Sequence, residues 1–372
     1  MKKNAIHLII FCILHFCVDF ICAASLVLIA DLVAGNENLA SDTPYVFLVY
    51  NCLAFLLQPV FGLWIDRFDG ANGGRMFKAF LLLSIGTLLI SWAVFMLATG
   101  KMSATMMFVC AAIFGISNAL FHVSAGKQVL MFSNRATPGG LFVSTGALGI
   151  GLASVILIAG NASFFIESLF VLIPFIVVPL TLIYFFGKLD LLDGKYKTYS
   201  FSSIRWYAVV ALLLCAAIGV RSFLGFYSKM SDGIVNWVAI FLLAVAAFMG
   251  KAIGGLLLDL GGPFFTIITS SVVSTVLSVF LKNSYVDYVF ILSFNLLMPV
   301  TLDAIRRCFP KREGFSFGLA AAFLIPGYLL GNLLKPYGTK EIIIPIVCFI
   351  TGAMLVVVYW MKKKDPANER DN

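Results

Sequence analysis

The chain reads as a succession of apolar blocks of roughly 20 residues, separated by short polar breaks. A helix of that length crosses about 30 Å of hydrocarbon. The blocks fall at 5–33, 43–65, 76–99, 103–125, 139–160, 164–186, 204–227, 237–258, 263–281, 285–304, 316–334 and 341–361. The breaks carry turn formers and charge, as in Asp66-Arg67-Phe68-Asp69-Gly70, Gly160-Asn161 and Gly261-Gly262-Pro263. Strict alternation of polar and apolar residues, which marks a membrane barrel, is absent. The pattern predicts an all-α integral membrane protein of about 12 transmembrane helices.

Composition agrees. Of 372 residues, 61% are hydrophobic and 12% charged, with a mean hydropathy of +1.01. Ordinary soluble domains carry about 25% charged residues. Lys2 and Lys3 before an apolar run resemble a signal peptide. The run continues to Val33, beyond a signal core, and predicts a retained first helix.

Charge placement tests the span count. With a cytoplasmic N-terminus, Lys101, Lys229, Lys282, Lys335 and Lys340 fall outside, and Arg221 and Lys251 fall within spans. The other 19 of the 26 Lys and Arg residues fall on the cytoplasmic side. That asymmetry is the positive-inside rule, and it places both termini in the cytoplasm of a cell inner membrane. Topology thus accounts for the net charge of +8 without nucleic acid. The eight cysteines include no Cys-x-x-Cys pair, and they read as small apolar packing residues.

The two halves repeat. Gly62-x-x-x-Asp66 ends the second span and Gly255-x-x-x-Asp259 the eighth. Asn118-Ala-Leu-Phe-His-Val-Ser on the fourth is matched by Asn295-Leu-Leu-Met-Pro-Val-Thr on the tenth. This predicts two pseudo-symmetric six-helix bundles, 1–187 and 204–361, a cytoplasmic linker at 188–203 and a cytoplasmic tail at 362–372. Such repeats place a substrate site near the midplane between the halves.

The segment Gly62-x-x-x-Asp66-Arg67, with its weaker copy Gly255-x-x-x-Asp259, resembles the loop signature of the major facilitator superfamily. His15-Phe16-x-x-Asp19, Gln58-Pro59-x-Phe61-Gly62, Phe121-His122 and Arg221 look like its fosmidomycin-resistance branch. The resemblance covers the whole chain in order and spacing. It implies a major facilitator fold, alternating access, a cavity lined by helices 1, 4, 7 and 10, and a conformational latch of Gly62, Asp66, Arg67, Gly255 and Asp259. Branch members follow the fourth-helix His with Pro and an acidic residue, whereas this chain has Val123-Ser124-Ala125.

The intramembrane polar residues are the candidate site. Ionisable groups cost several kcal/mol at a bilayer centre and therefore face a cavity or a partner. His15 and Asp19 lie one turn apart on the first span, and Asn118 and His122 repeat that spacing on the fourth. Arg221 lies on the seventh, and Asn295 and Asp303 on the tenth. These seven are the expected substrate or ion cavity. Asp19 is the expected proton-coupling carboxylate, Arg221 its expected partner and His15 a proton relay. His122 reads equally as a gating residue. Lys251 reads as a snorkelling lysine or a mate for Asp259.

The expected function is secondary transport of a small molecule by a monomer, with proton-coupled antiport in the efflux direction. Gradient-driven uptake or facilitated diffusion is the alternative. An enzyme is disfavoured. Asp69-Gly70-x-x-x-x-Arg75 faintly resembles the start of a phosphatidyl-alcohol transferase motif. That chemistry needs further aspartates on the next helix, and Met76 to Thr99 has none. No nucleotide loop, catalytic triad or metal-ligand spacing occurs, so no cofactor and no metal are expected.

Overall fold

The computed structural model describes residues 2–34, 41–69, 75–98, 103–131, 134–158, 172, 175–183, 198–199, 203–228, 236–281, 284–334 and 340–364. The linker apart from residues 198, 199 and 203, the tail beyond Lys364, and most of the sixth span lie outside the described residues.

Helices occupy the expected spans. They are α1 (Lys2–Ala34), α2 (Thr43–Leu56 continued by Gln58–Asp69), α3 (Arg75–Ala98), α4 (Ala104–Met131), α5 (Thr137–Ile158) and α6 (residues 175–183). In the second half α7 is Ile204–Ser228, and α8 and α9 are the two arms of Trp237–Ser278 on either side of Gly262. They are followed by α10 (Ser284–Asn295 continued by Leu297–Cys308), α11 (Glu313–Ala322 continued by Leu324–Leu334) and α12 (Lys340–Lys364). Among the described residues ten helices are long and apolar enough to cross a membrane, and Trp237–Ser278, with 42 residues, counts once among them.

A straight helix of that length would run about 63 Å, twice the hydrocarbon thickness. It does not run straight. Gly250 packs against Leu292 and Asn295, while Ser270 donates to the carbonyl oxygen of Ser293 at 2.5 Å. Gly250 and Ser270 would stand about 30 Å apart on a straight helix, yet both abut the same turn of α10. The chain therefore folds back at Gly262, whose φ of 77° and ψ of 175° leave the helical region. Glycine tolerates that positive φ, and Pro263 restarts a helix because its missing N–H would be unpaired there anyway.

The interruptions inside α2, α10 and α11 have one cause. Each break, at Leu57, Leu296 and Phe323, precedes a proline by two or three residues, namely Pro59, Pro299 and Pro326. A proline ring clashes with the carbonyl four residues back and removes an N–H from the ladder.

Packing shows the repeat in three dimensions. Within the halves α1 lies along α5 and α7 along α11. Between them α5 meets α8, and α2 meets α11. Adding six to each helix number turns the first pair of contacts into the second, and likewise exchanges α5·α8 with α2·α11. One core fills the first half around Phe11, Phe20, Phe114 and Phe142. Two more, around Ile218 and Val300 and around Tyr227 and Phe290, fill the second. Large apolar side chains such as Ile90, Leu212, Val272 and Phe349 are exposed on the outer faces. Hydrocarbon covers such a surface at no cost, whereas water would not.

Candidate functional site

Two structures built from the predicted residues stand out, a buried cluster inside the first half and a pair of carboxylate contacts between the halves.

The cluster begins on α1. His15 and Asp19 share a face one turn apart, with His15 Nε2 3.2 Å from Asp19 Oδ2. α4 brings His122, whose Nε2 lies 3.5 Å from Asp19 Oδ1 and 2.8 Å from His15 Nε2. Asn118, one turn before His122, donates from Nδ2 to Asp19 Oδ1 at 3.0 Å. The far side of each imidazole is engaged by backbone. His15 Nδ1 lies 2.6 Å from the Phe142 carbonyl oxygen on α5, and His122 Nδ1 2.9 Å from that of Asn118. A carbonyl oxygen only accepts, so each Nδ1 carries the proton and donates it. In the neutral form of each ring the Nε2 lone pair then faces inward.

The walls are aromatic and close. Phe142 stacks on His15 at 4.3 Å between centroids, and Phe121 lies 6.0 Å from it. Phe317 of α11 reaches across from the other half to 6.3 Å from His122 and 5.8 Å from Phe142. Gly146 of α5 completes the enclosure, since a Cβ there would press on Asp19 Oδ2 and His15 Nε2. His15, Asp19 and Asn118 are each less than a tenth exposed.

The second structure is a matched pair of carboxylate contacts between the halves. Asp66, at the end of α2, accepts hydrogen bonds from the Gly314 and Phe315 amides at 3.0 and 2.8 Å. Those amides open α11. Asp259, at the end of α8, accepts from the Ala136 and Thr137 amides at 2.8 and 2.9 Å, and from the Thr137 hydroxyl. Those amides open α5. Carboxylates thus cap helix N-termini of the opposite half, where unpaired N–H groups and the helix dipole favour negative charge. Gly62 approaches Gly314, and Gly255 approaches Ala136 and Thr137. The same end carries a cationic counterpart. Arg306 of α10 donates to the carbonyl oxygens of Leu130 at 2.7 Å and Asn134 at 3.3 Å, beside the C-terminus of α4.

No family model and no curated relative matches the sequence. Solved structures do. The chain is similar to the Escherichia coli fucose:proton symporter FucP, with a TM-score of 0.68 and 13% identity, over 97% of this chain and 98% of that chain. A second structure of FucP, described as a major facilitator superfamily transporter in the outward conformation, gives 0.63 and 13%, over 94% and 97%. A bacterial homologue of the iron transporter ferroportin, in an outward-facing state, gives 0.55 and 15%, over 95% and 98%. This chain has the major facilitator fold.

Within that fold, the predicted residues divide into those that meet and those that do not. His15, Asp19, Asn118 and His122 meet. Arg221 is buried on α7 but forms no ion pair with Asp19, whose carboxylate is held by His15, His122 and Asn118. Lys251 of α8 donates from Nζ to the Val143 carbonyl oxygen of α5 at 3.5 Å. It does not pair with Asp259, which lies about 12 Å further along α8 and caps the start of α5. Asn295 is turned to its own helix and donates to the Ile291 carbonyl oxygen at 2.8 Å. Asp303 lies at the end that carries the Asp66 and Asp259 contacts, pairing with Arg306 and Arg307 at 2.6 Å each. Arg67 is exposed, 5.9 Å from the Phe68 ring, and the cation beside Asp66 is Lys127, whose Nζ is 3.3 Å from Asp66 Oδ1. Sequence reading missed Lys127 and Arg306 as members of this end. Their place just beyond spans 4 and 10, 9 and 11 residues after the repeated Asn118 and Asn295, was the available signal.

Proposed function

We propose that this protein is a secondary active transporter. It moves a small molecule by rocking its two six-helix halves about the region of the His15–Asp19–His122 cluster. The observation that carries the reading is the matched latch. Two carboxylates related by the internal repeat hold the same end of the molecule shut, each bound to the first amides of a helix in the other half. Hydrogen bonds of this kind are local and few, and they break as a set when the halves part.

The closed end is assigned to the cytoplasm, following the distribution of Lys and Arg, with both termini on that side. No nucleotide-binding motif occurs in the chain, so an ion or substrate gradient supplies the drive. Protons are the assigned counter-ion and export the assigned direction. A membrane potential contributes about 2.3 kcal/mol per charge per 100 mV to such exchange. The fosmidomycin-resistance branch remains the subfamily to which the His15, Gln58, Phe121-His122 and Arg221 motifs point.

The test uses the purified monomer. A thermal-shift screen identifies a ligand, and flux of that ligand is followed in proteoliposomes with an imposed pH gradient. Alternating access requires saturable flux, and counterflow when unlabelled ligand fills the opposite side. Flux that rises without saturation and shows no counterflow would mean a channel and sink the proposal.

A further inference from the structure

We infer that His15, Asp19 and His122 form a binding site for one divalent transition-metal ion. The inference rests on the transporter reading for access, because an ion reaches this enclosed site only when the halves part.

The argument is one of donors and acceptors. Each histidine has its Nδ1 proton committed to a backbone carbonyl, at 2.6 and 2.9 Å. Ligand atoms of three side chains then converge: His15 Nε2 lies 2.8 Å from His122 Nε2 and 3.2 Å from Asp19 Oδ2, His122 Nε2 lies 3.5 Å from Asp19 Oδ1, and one donor atom from each residue falls within 4.8 Å of the others. Neutral nitrogens at 2.8 Å repel unless a cation lies between them. A proton would satisfy only the edge between the two histidines. An ion between them takes one lone pair from each of the three side chains. A tetrahedral ion with bonds of about 2.0–2.1 Å holds its ligand atoms about 3.3 Å apart, so the histidine edge needs to open by about half an ångström to admit one.

The surroundings have the features of a metal site. Ligating histidines ordinarily donate the other ring N–H to a carbonyl or carboxylate, which fixes tautomer and ring orientation. Here Phe142 and Asn118 supply the carbonyls. The ligating carboxylate is oriented in turn by the Asn118 side chain at 3.0 Å. The walls of Phe121, Phe142 and Phe317 exclude water and strengthen the ion's attraction to Asp19. Two imidazoles and one carboxylate suit zinc and its first-row neighbours, and do not suit magnesium or calcium, which demand oxygen ligands. Three protein ligands, where structural zinc sites use four, leave a coordination position open. A transported or exchangeable ion needs such a position to enter and leave.

Sequence spacing hides this site. His15 and Asp19 are on α1 and His122 is more than 100 residues away, so no metal motif is legible. Helix packing alone assembles it.

The experiment uses the full-length protein with a non-histidine affinity tag and Co2+ as the probe. Equilibrium dialysis and the visible spectrum of bound Co2+ are the readouts. We expect one Co2+ per chain, displaced by Zn2+ and not by excess Mg2+. Asn118→Ala, which removes the group orienting the carboxylate, weakens binding by about 10–100-fold. His122→Ala abolishes it, and His122→Cys, which restores a ligand, recovers it with a sulfur charge-transfer band. That rescue would not follow from a merely structural histidine. Wild-type protein that takes up no more Co2+ than His122→Ala, while both elute as folded monomers, would overturn the site. Co2+ binding at this stoichiometry in a protein that supports no counterflow would leave the site standing and overturn the transporter reading.

Discussion

Asp66→Asn tests the latch. The carboxylate receives two amide hydrogen bonds across the interface between the halves, at 3.0 and 2.8 Å. Bonds to a charged acceptor contribute about 1.5–3 kcal/mol each and neutral ones about 0.5–1.5 kcal/mol. Asparagine keeps the shape but offers a single neutral oxygen. It also loses attraction to the N-terminal end of α11, about 0.3–1 kcal/mol. Because Asp66 has Lys127 beside it, 3.3 Å away within its own half, part of its charge stabilisation persists when the halves part. A net loss of about 2 kcal/mol from the closed state follows, or a shift of about 30-fold toward opening at 1.4 kcal/mol per decade. Hydrogen exchange read by mass spectrometry is the assay. The amides of Gly314 and Phe315 lose their acceptor directly and exchange faster for local reasons. The decisive amides are Ala136 and Thr137, which Asp259 caps in the other latch. If one rigid-body movement opens that end, their exchange also accelerates, by the same factor of about 30 when reclosing outpaces labelling. Acceleration confined to residues 314 and 315 would mean that the two latches open separately, and the alternating-access argument built on them would fail. Transport should follow, with turnover reduced and substrate affinity largely kept, because the change acts on the conformational exchange and not on the cluster.

Two further outcomes are expected. Gly318 lies against the backbone of α2, where an added Cβ would come within 2.6 Å of the Pro59 nitrogen, whereas one at Gly86 meets nothing within 4 Å. Gly318→Ala should therefore lower thermal stability in detergent, by about 1–3 kcal/mol, while Gly86→Ala, in a helix interior, should leave it unchanged or raise it by about 0.5–1 kcal/mol; equal effects would mean that the α2–α11 contact does not govern stability. A reporter active only in the cytoplasm, fused after Asn372, should be active, and a stable but inactive fusion would overturn the assignment of the latch end to the cytoplasm.

Much of this molecule is written locally. The bilayer demands about 20 apolar residues per crossing and internally paired backbone, so spans, turns and helical class follow from short windows of sequence. The hairpin at Gly261-Gly262-Pro263 and the breaks before Pro59, Pro299 and Pro326 are of the same kind, since φ and ring sterics act within four residues. The repeat of Gly62-x-x-x-Asp66 in Gly255-x-x-x-Asp259 marked both latch carboxylates, because equivalent sites in two similar halves keep equivalent residues. What lay beyond reach was the choice of partner. Asp19 had four polar helices to choose from, and Arg221 was as plausible as His122 by charge alone. Rotation of each helix about its axis decides which polar side chains meet, and that rotation is set by close backbone contacts such as that of Gly149 with Phe16 and Phe20 of α1. Asp303 went to Arg306 and Arg307 on its own helix because an ion pair one turn away needs no tertiary closure. The gathering of His15, Asp19 and His122 is the opposite case. Its ligands meet only where α1, α4 and α5 pack, so the folded molecule alone determines what they hold.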